Sequence, residues 1–304
     1  MFISKDGTTR LWLYRAFAWI WRFRTLVVCE SAFANDIAPT ILRRRFFGYW
    51  LHLDVSRSNA QQLLFLEGTR YIGERKLLWS LARPGSVVVD IGANIGYYTL
   101  LIEARVSRSG KIIAFEPEPD NLIELRLNVE QNLLKNVEIR PFAVGATPGV
   151  VAFARGINGG VSEDGALLAD TAIKVPMVAL DDVLDGPVDL IKIDVEGYEG
   201  EVLAGARKVI ERWRPNLFVE IHPRMIAGVH TVDSLFGFLS NYYSNIELYQ
   251  SAQMQTIPRK ILSRYFSIGN VQTLSSLEAV ALRCRQGLQD TFWAVCRSQN
   301  KSRI

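Results

Sequence analysis

Acidic side chains end four apolar runs of this 304-residue chain, and a histidine closely follows the last of them. These side chains are Asp90, Glu116, Asp194 with Glu196, and Glu220 with His222. Apolar, β-branched runs are typical of strands inside a parallel sheet, and the carboxyl ends of such strands meet at one edge. Carboxylates and an imidazole gathered there can hold a ligand and accept a proton from it. The pattern predicts a small-molecule site at one edge of a sheet.

A glycine turn follows Asp90 and leads into a helix pattern that begins at Tyr97. Gly92 and Gly96 bracket the turn, and their lack of a Cβ lets a backbone approach a ligand closely. A dinucleotide site needs Gly-x-Gly-x-x-Gly to place a pyrophosphate on the helix N-terminus. Here the spacing is Gly-x-x-x-Gly, with Asn94 inside the turn. The turn therefore indicates a ligand other than a dinucleotide. The alternative interpretation is that the two glycines only make a tight packing turn.

The charge of Asp90 discriminates between the candidate ligands. A carboxylate is unfavourable beside a pyrophosphate, whereas it suits a ligand that has a positive end and no phosphate. S-adenosylmethionine carries ammonium and sulfonium groups and meets both conditions. Glu116, at the end of the next predicted strand, is placed to accept hydrogen bonds from ribose hydroxyls. The two acids therefore predict a site for this methyl donor.

The remaining acids belong to two later strands. Alternation along a strand puts Lys192, Asp194 and Glu196 on one side of the first, and Glu220 and His222 on a common side of the second. In a doubly wound sheet these strands lie beside the Asp90 strand, so the acids converge at the cleft that faces the glycine turn. For Lys192 with Asp194, a buried ion pair is the alternative interpretation.

The elements that must position these side chains alternate along the chain. Predicted strands cover residues 87–90, 111–116, 136–144, 188–195, 217–221, 245–250 and 291–297, and predicted helices cover 74–82, 97–106, 117–134, 199–213 and 231–242. Glu199 is interpreted as complementing the start of its helix. This alternation predicts an α/β fold, a doubly wound parallel sheet with an antiparallel edge strand.

Residues 146–180 interrupt the alternation. Two β-type runs at 150–154 and 173–178 flank a glycine-rich segment, which predicts a hairpin inserted between the third and fourth strands. An extension of the sheet edge and a loop that reaches over the site are both compatible with this pattern.

Composition limits the class of protein. The chain is 49% hydrophobic and 22% charged with a net charge of +4, values typical of a globular protein and too weakly basic to predict a nucleic-acid partner. The three cysteines have no metal-binding spacing and indicate reduced thiols in a cytoplasmic protein. The oligomeric state is left open.

Residues 1–70 are predicted to form an accessory helical region ahead of a catalytic domain at 71–304. Tryptophans and arginines alternate over residues 10–28 in a run interrupted too often by charge to span a membrane. We expect this segment to be either a helix packed on the domain or an interfacial helix on the anionic inner membrane surface. The basic cluster Arg43-Arg44-Arg45 is interpreted as a solvated face, with lipid or saccharide contact as the alternative.

The turn from Asp90 to Thr99, the strand end Phe115-Glu116-Pro117, and the string from Ile193 to Glu199 together resemble the FkbM-type family of S-adenosylmethionine-dependent methyltransferases. The resemblance covers roughly residues 74–223, with the acids near 218–223 at its end. It implies a Rossmann-like, seven-stranded class I methyltransferase sheet and O-methylation of a saccharide or natural-product hydroxyl.

The resemblance also implies roles for individual residues. The predicted donor-binding residues are Asp90, Gly92, Asn94, Gly96, Tyr98, Glu116, Pro117 and Ala143. The predicted catalytic residues are Asp194, Glu196, Glu220 and His222. We expect His222, oriented by Glu220, to remove the proton of the acceptor hydroxyl while Asp194 orients the acceptor or the donor amine.

Two alternatives accompany this mechanism. In the first, which is less favoured, Asp194, Glu220 and His222 hold a divalent metal that lowers the pKa of the acceptor hydroxyl. In the second, the chain is a catalytically inactive, donor-binding interaction protein. The presence of all four predicted catalytic side chains argues against the second alternative.

Overall fold

The computed structural model describes residues 41–67, 72–154, 172–226, 230–251, 271–274, 280 and 291–298. The predictions for residues 1–40, including the segment at 10–28, therefore lie outside the described residues. None of the described helices is both long enough and apolar enough to cross a bilayer.

The central sheet has eight strands, seven of which were predicted. The strands are β3 (Val87–Ile91), β4 (Lys111–Phe115), β5 (Val137–Arg140), β9 (Leu190–Ile193), β10 (Asn216–Ile221), β11 (Ile246–Ser251), β12 (Val271–Leu274) and β13 (Phe292–Cys296). Their spatial order is β12-β11-β13-β10-β9-β3-β4-β5. The run from β10 to β5 is parallel, whereas β13 is antiparallel to both β10 and β11. The doubly wound fold is confirmed, and β12 extends one edge beyond the predicted seven strands.

Apolar residues explain why β3 lies in the middle of the sheet. Val88 and Val89 point to opposite faces and are both fully buried, as helices on the two faces require. Because β9 and β4 flank β3, Asp90 near the end of β3 and the acids that follow β4 and β9 are brought to one edge.

Eight helices are described, and four of them, over 72–81, 97–106, 119–131 and 232–242, begin and end close to their predicted positions. They are α1 (Asn59–Glu67), α2 (Ile72–Leu81), α3 (Tyr97–Val106), α4 (Pro119–Gln131), α5 (Leu180–Val183), α6 (Glu199–Gly205), α7 (Arg207–Trp213) and α8 (Val232–Tyr242). The single helix predicted over 199–213 is two helices. A Cβ at Gly205 would lie 1.9 Å from the carbonyl oxygen of Gly145, so this end of α6 packs directly on backbone.

The inserted hairpin is confirmed and belongs to a second, three-stranded sheet. Strands β7 (Gly149–Ala154) and β8 (Ala172–Val178) pair in antiparallel, and β6 (Ala143–Val144) pairs in parallel with β8. The strand predicted over 136–144 is therefore two strands in different sheets. Pro141 interrupts it, because proline has no N–H to donate to a ladder.

The helical prediction for residues 1–70 is wrong over 41–54, which form a β-hairpin. Strands β1 (Ile41–Phe46) and β2 (Tyr49–Asp54) join through Phe47 and Gly48, whose φ angles of 54° and 95° give the primed turn that hairpins prefer. The β1 sequence Ile-Leu-Arg-Arg-Arg-Phe does not alternate apolar and basic residues, so the strand could not be recognised from a period of two.

The hairpin packs on the domain that carries the site. Asn128 Oδ1 accepts the His52 backbone N–H at 2.6 Å, and Asn132 Oδ1 accepts that of Trp50 at 2.8 Å. Leu51 also shares one hydrophobic cluster with residues of the glycine turn. The arginine cluster is only partly solvated, since the guanidinium groups of Arg43 and Arg45 lie 4.7 and 5.0 Å from the centre of the Trp50 ring.

Candidate active site

The glycine turn is held against both neighbouring strands. The backbone N–H groups of Gly92 and Ala93 both donate to the carbonyl oxygen of Phe115 at 3.0 Å. Gly92, Asn94 and Gly96 all have positive φ angles, of 74°, 51° and 93°. Asn94 tolerates this conformation, and its side chain accepts the Ile95 backbone N–H at 2.8 Å.

The two glycines are required by packing against protein. A Cβ at Gly92 would lie 1.8 Å from the carbonyl oxygen of Asp194, and one at Gly96 would lie 2.9 Å from Leu125 Cδ1. The packing alternative therefore explains both glycines sterically, and Gly92 in addition lines the cavity described below.

We expect Gly92→Ala to lower the free energy of unfolding by more than about 2 kcal/mol, because the new Cβ meets backbone and the φ angle is positive. Gly237→Ala is the control. Gly237 lies within α8, its added Cβ meets nothing within 4 Å, and the change should stabilise the chain by about 0.5–1 kcal/mol. Urea unfolding measures the free energy of unfolding of both variants, and equal midpoints for the two would contradict the prediction.

Asp90 is fully buried and forms bonds within the protein. Its Oδ2 accepts the Thr99 hydroxyl at 2.7 Å, and its Oδ1 lies 3.0 Å from Lys192 Nζ. Lys192, which is 1% exposed, also donates to the Gly92 carbonyl at 3.1 Å and lies 3.7 Å from Asp194 Oδ2. The ion-pair interpretation of Lys192 therefore applies first to Asp90. The donor-binding role of Asp90 stays a prediction, and in the described structure its carboxylate is held by Thr99 and Lys192 beside the turn.

Glu116 is buried at the end of β4 and accepts N–H groups on both carboxylate oxygens. Oε2 accepts from the Asn94 backbone at 2.7 Å, and Oε1 accepts from the Glu118 backbone at 3.0 Å and from Asn121 Nδ2 at 3.3 Å. Burial raises the pKa of Glu116 to about 7 despite these hydrogen bonds. Ribose hydroxyls would reach a carboxylate whose orientation is already fixed.

The pKa of Glu116 predicts a pH dependence of donor binding. Hydroxyl donors favour the ionised carboxylate, so affinity should be full above pH 7 and should fall as the pH decreases through 7. We expect S-adenosylhomocysteine, the demethylated donor, to bind about tenfold more weakly at pH 6 than at pH 8. Titration calorimetry measures this ratio. The Glu116→Gln variant should bind S-adenosylhomocysteine weakly, and its affinity should depend less on pH. An unchanged dependence of affinity on pH would assign the titration to another group.

Asp194 and Glu196 follow β9 in a strained turn. Glu196 has a φ angle of 53° and Gly197 one of 104°. A positive φ angle is uncommon for glutamate and is seen where surrounding structure imposes it, often at functional sites. The turn leaves both carboxylates partly exposed, at 24% of each side chain.

His222 is oriented by Glu199. Its Nδ1 lies 2.9 Å from Glu199 Oε1, whereas its Nε2 lies 3.6 Å from Glu196 and 3.7 Å from Glu220. Burial alone would lower the pKa of His222, but the hydrogen bond to Glu199 and the surrounding carboxylates raise it to about 9. The neighbouring carboxylates therefore favour the protonated, positively charged imidazole.

Glu220 completes the acid cluster. Burial, with repulsion from Asp194, raises the pKa of Glu220 to about 8. A carboxyl group with a pKa in this range can exchange a proton near neutral pH. One ligand atom each from Asp194, Glu220 and His222 lie within 4.8 Å of one another, so these residues could also coordinate a metal ion.

Two adjoining cavities lie on either side of the glycine turn. The smaller, of about 90 Å³, is lined by Glu116, Pro117 and Ala143, and the larger, of about 410 Å³, by Tyr98 and Glu220. Both are lined by Gly92, Asn94, Asn121, Asp194 and Glu196. Cofactor pockets commonly measure about 300–1,000 Å³, so we expect a donor held by Glu116 to extend from the smaller cavity into the larger.

Most predicted site residues line these cavities, whereas Asp90, Gly96 and His222 line neither. Sequence reasoning missed Phe142, Phe153 and Tyr198 in the smaller cavity and Gln61 and Glu74 in the larger. Phe153 comes from the inserted hairpin, which supports the alternative that this insertion reaches the site. Glu199 was interpreted from the sequence only as complementing the start of its helix, whereas in the structure its carboxylate also bonds to His222 Nδ1.

The strand order, the glycine turn after β3 and the acid after β4 place the chain among the class I, S-adenosylmethionine-dependent methyltransferases. Residues 90–246 match the model of the methyltransferase FkbM domain. The chain belongs to this FkbM methyltransferase family, and the resemblance inferred from its motifs is confirmed.

Two curated relatives and one solved structure illustrate the family. The chain is 32% identical over 191 residues to the 31-O-demethyl-FK506 methyltransferase FkbM of Streptomyces tacrolimicus, covering 51% of this chain and 69% of that protein. It is 28% identical over 164 residues to the hexuronic acid methyltransferase AglP of Haloferax volcanii, covering 52% of this chain and 63% of that protein. The crystal structure of methyltransferase FkbM from Methylobacillus flagellatus has a TM-score of 0.42 at 17% identity, covering 73% and 50% of the two chains.

Proposed function

We propose that the chain transfers the methyl group of S-adenosylmethionine to a hydroxyl of a saccharide or natural-product acceptor. The observation that carries this proposal is the position of Asp194, which lines both cavities, with Glu220 beside it in the larger one. The names of the two curated relatives support the acceptor class, since one acts on demethyl-FK506 and the other on a hexuronic acid.

The fit of the donor rests on Glu116 and the shared turn. Glu116 would accept the ribose hydroxyls, while the carboxylates of Asp194 and Glu196 would face the positive end. When bound, S-adenosylmethionine supplies an electrophilic methyl group to an oxygen in line with its carbon–sulfur bond. The protein must therefore hold the acceptor oxygen and accept its proton as the new bond forms.

Glu220 is the base that the geometry favours. Its side chain lines the larger cavity, whereas His222 lines neither cavity and its Nδ1 is bonded to Glu199. We assign His222 as a positioning residue whose positive charge lies 3.6–3.7 Å from Glu196 and Glu220. Asp194 would orient the acceptor hydroxyl or the donor amine.

The reaction is tested by incubating the chain with trideuteromethyl S-adenosylmethionine and a panel of glycosides and polyketide alcohols. Mass spectrometry should locate the label on an ether oxygen. Label found only on nitrogen or carbon, across a panel that includes amines and activated carbon acids, would contradict O-methylation.

A metal-assisted reaction is the second candidate, favoured by the clustering of Asp194, Glu220 and His222. A divalent cation there would bind the acceptor hydroxyl and lower its pKa. Exhaustive chelation separates the candidates. Activity that survives chelation would exclude the metal, and activity lost on chelation and restored by Mg²⁺ or Mn²⁺ would establish it.

A further inference from the structure

A third cavity, of about 310 Å³, lies between the turn of the β1–β2 hairpin and helices α2 and α3. It is lined by Phe47 of the hairpin turn, Leu101 of α3, and Arg75, Lys76 and Trp79 of α2. None of these residues lines either cavity of the candidate active site. This space is therefore separate from the one assigned to the donor and the acceptor.

Arg75 and Lys76 give this cavity two positive charges that have no carboxylate partner among the described residues. The guanidinium group of Arg75 lies 4.5 Å from the centre of the Phe47 ring, and its Nε is buried without a hydrogen-bond acceptor in the described structure. A buried N–H group without an acceptor is costly unless a ligand supplies one. The cavity therefore favours a ligand that brings acceptor oxygens and negative charge.

The acids closest in sequence to these cations do not line the cavity. Glu74 precedes Arg75 in α2 and lines the larger cavity of the active site instead. Glu103, two residues after Leu101, is fully buried and accepts the Tyr49 hydroxyl. Both charged side chains that line the third cavity are therefore positive.

The rest of the lining is apolar, and part of it is open to solvent. The side chain of Trp79 is 39% exposed. Arg105 holds this part of α2 in place, because its Nε donates to the carbonyl oxygens of Trp79 and Ala82 at 3.2 and 2.9 Å. Its guanidinium group lies 5.3 Å from the centre of the Trp79 ring. An indole fixed beside two cations offers flat apolar surface to the uncharged part of a ligand.

We propose that this cavity is a second binding site, which takes an oxyanion such as a phosphate joined to an apolar or aromatic body. Arg75 and Lys76 would bind the anionic oxygens, and Phe47 and Trp79 would contact the apolar body. The headgroup region of an anionic phospholipid and a soluble aryl phosphate share this chemistry. The inference does not depend on the reaction proposed for the active site.

Ligand-observed NMR tests the site on the full chain, saturated with S-adenosylhomocysteine so that the probe does not compete for the donor site. The probe is phenyl phosphate, and inorganic phosphate and phenol are its two fragments. We expect phenyl phosphate to bind at least about tenfold more tightly than either fragment, because the charge and the apolar surface both contribute. Binding no tighter than that of the better fragment would overturn the inference.

Variants locate the binding of the probe. Arg75→Met keeps an apolar stem and should weaken the binding of phenyl phosphate at least about tenfold, and Lys76→Met, at an exposed position, should weaken it about threefold. Arg126→Met is the matched control, because Arg126 is exposed on α4 and lines none of the three cavities. Unchanged affinity in Lys76→Met, together with unchanged affinity or loss of folding in Arg75→Met, would contradict the inference.

Vesicle flotation distinguishes the two sources of the anion. The intact chain and Arg75→Met are each mixed with vesicles of phosphatidylcholine, with and without phosphatidylglycerol. Flotation that requires phosphatidylglycerol and is reduced in Arg75→Met would assign the site to a lipid. Phenyl phosphate binding without such flotation would assign it to a soluble ligand. Absence of both would overturn the inference.

Discussion

Glu220→Gln is expected to lower kcat by about 10²- to 10⁴-fold, the range over which a positioned general base contributes. The substitution keeps the size of the side chain and removes its ability to take a proton. Affinity for S-adenosylhomocysteine should change little, because this molecule lacks the positive sulfonium and Glu116, the predicted partner of its ribose hydroxyls, is unchanged. Single-turnover rates and calorimetry with S-adenosylhomocysteine measure the two quantities separately.

Glu201→Gln provides the control for a glutamate changed outside the site. His222→Gln should reduce the rate less than Glu220→Gln, because His222 acts through its neighbours. If His222→Gln were the more damaging change, with donor binding intact, the base assigned here would be wrong and the sequence-based choice of His222 would be correct.

Lys192→Met is expected to lower the free energy of unfolding by about 3–5 kcal/mol, because it leaves Asp90 charged and buried without its partner. The Nζ and Oδ1 atoms lie 3.0 Å apart, and the two side chains are 1% and 0% exposed. The substitution also removes the bond from Lys192 to the Gly92 carbonyl. Urea unfolding at pH 7 measures the loss.

A double variant distinguishes an unpaired charge from a simple packing defect. Asp90→Asn combined with Lys192→Met removes both charges and keeps a group that can accept the Thr99 hydroxyl. We expect this double variant to recover at least half of the stability lost in Lys192→Met, since replacing a buried pair by neutral residues is often nearly neutral. A double variant less stable than the single one would contradict this account of the pair.

The sheet was predictable because its central strands carry unambiguous local signals. Val88 and Val89 lie on opposite faces of the sheet and are both apolar and buried, and acids stand at or just after the carboxyl ends of the strands. The hairpin at 41–54 was not predicted, because its register depends on Phe47 and Gly48 adopting left-handed conformations and on packing against α4. Such tertiary contacts override local composition.

The site was predictable where an acid stands at or just after the end of a predicted strand, as Glu116, Asp194 and Glu220 do. Asp194 and Glu196 lie in one turn, so both were identified. The partner of His222 was assigned to Glu220, two residues away, whereas the structure bonds its Nδ1 to Glu199. Gln61 and Glu74 carried no local signal, since only the folded chain brings α1 and α2 to the acid cluster.

A crystal structure of the chain with S-adenosylhomocysteine tests the central claim most directly. The account predicts ribose hydroxyls within hydrogen-bond distance of Glu116 and a sulfur atom that faces the side of the cavity lined by Asp194 and Glu220. A nucleoside bound away from Glu116, or a sulfur atom directed away from those carboxylates, would contradict it.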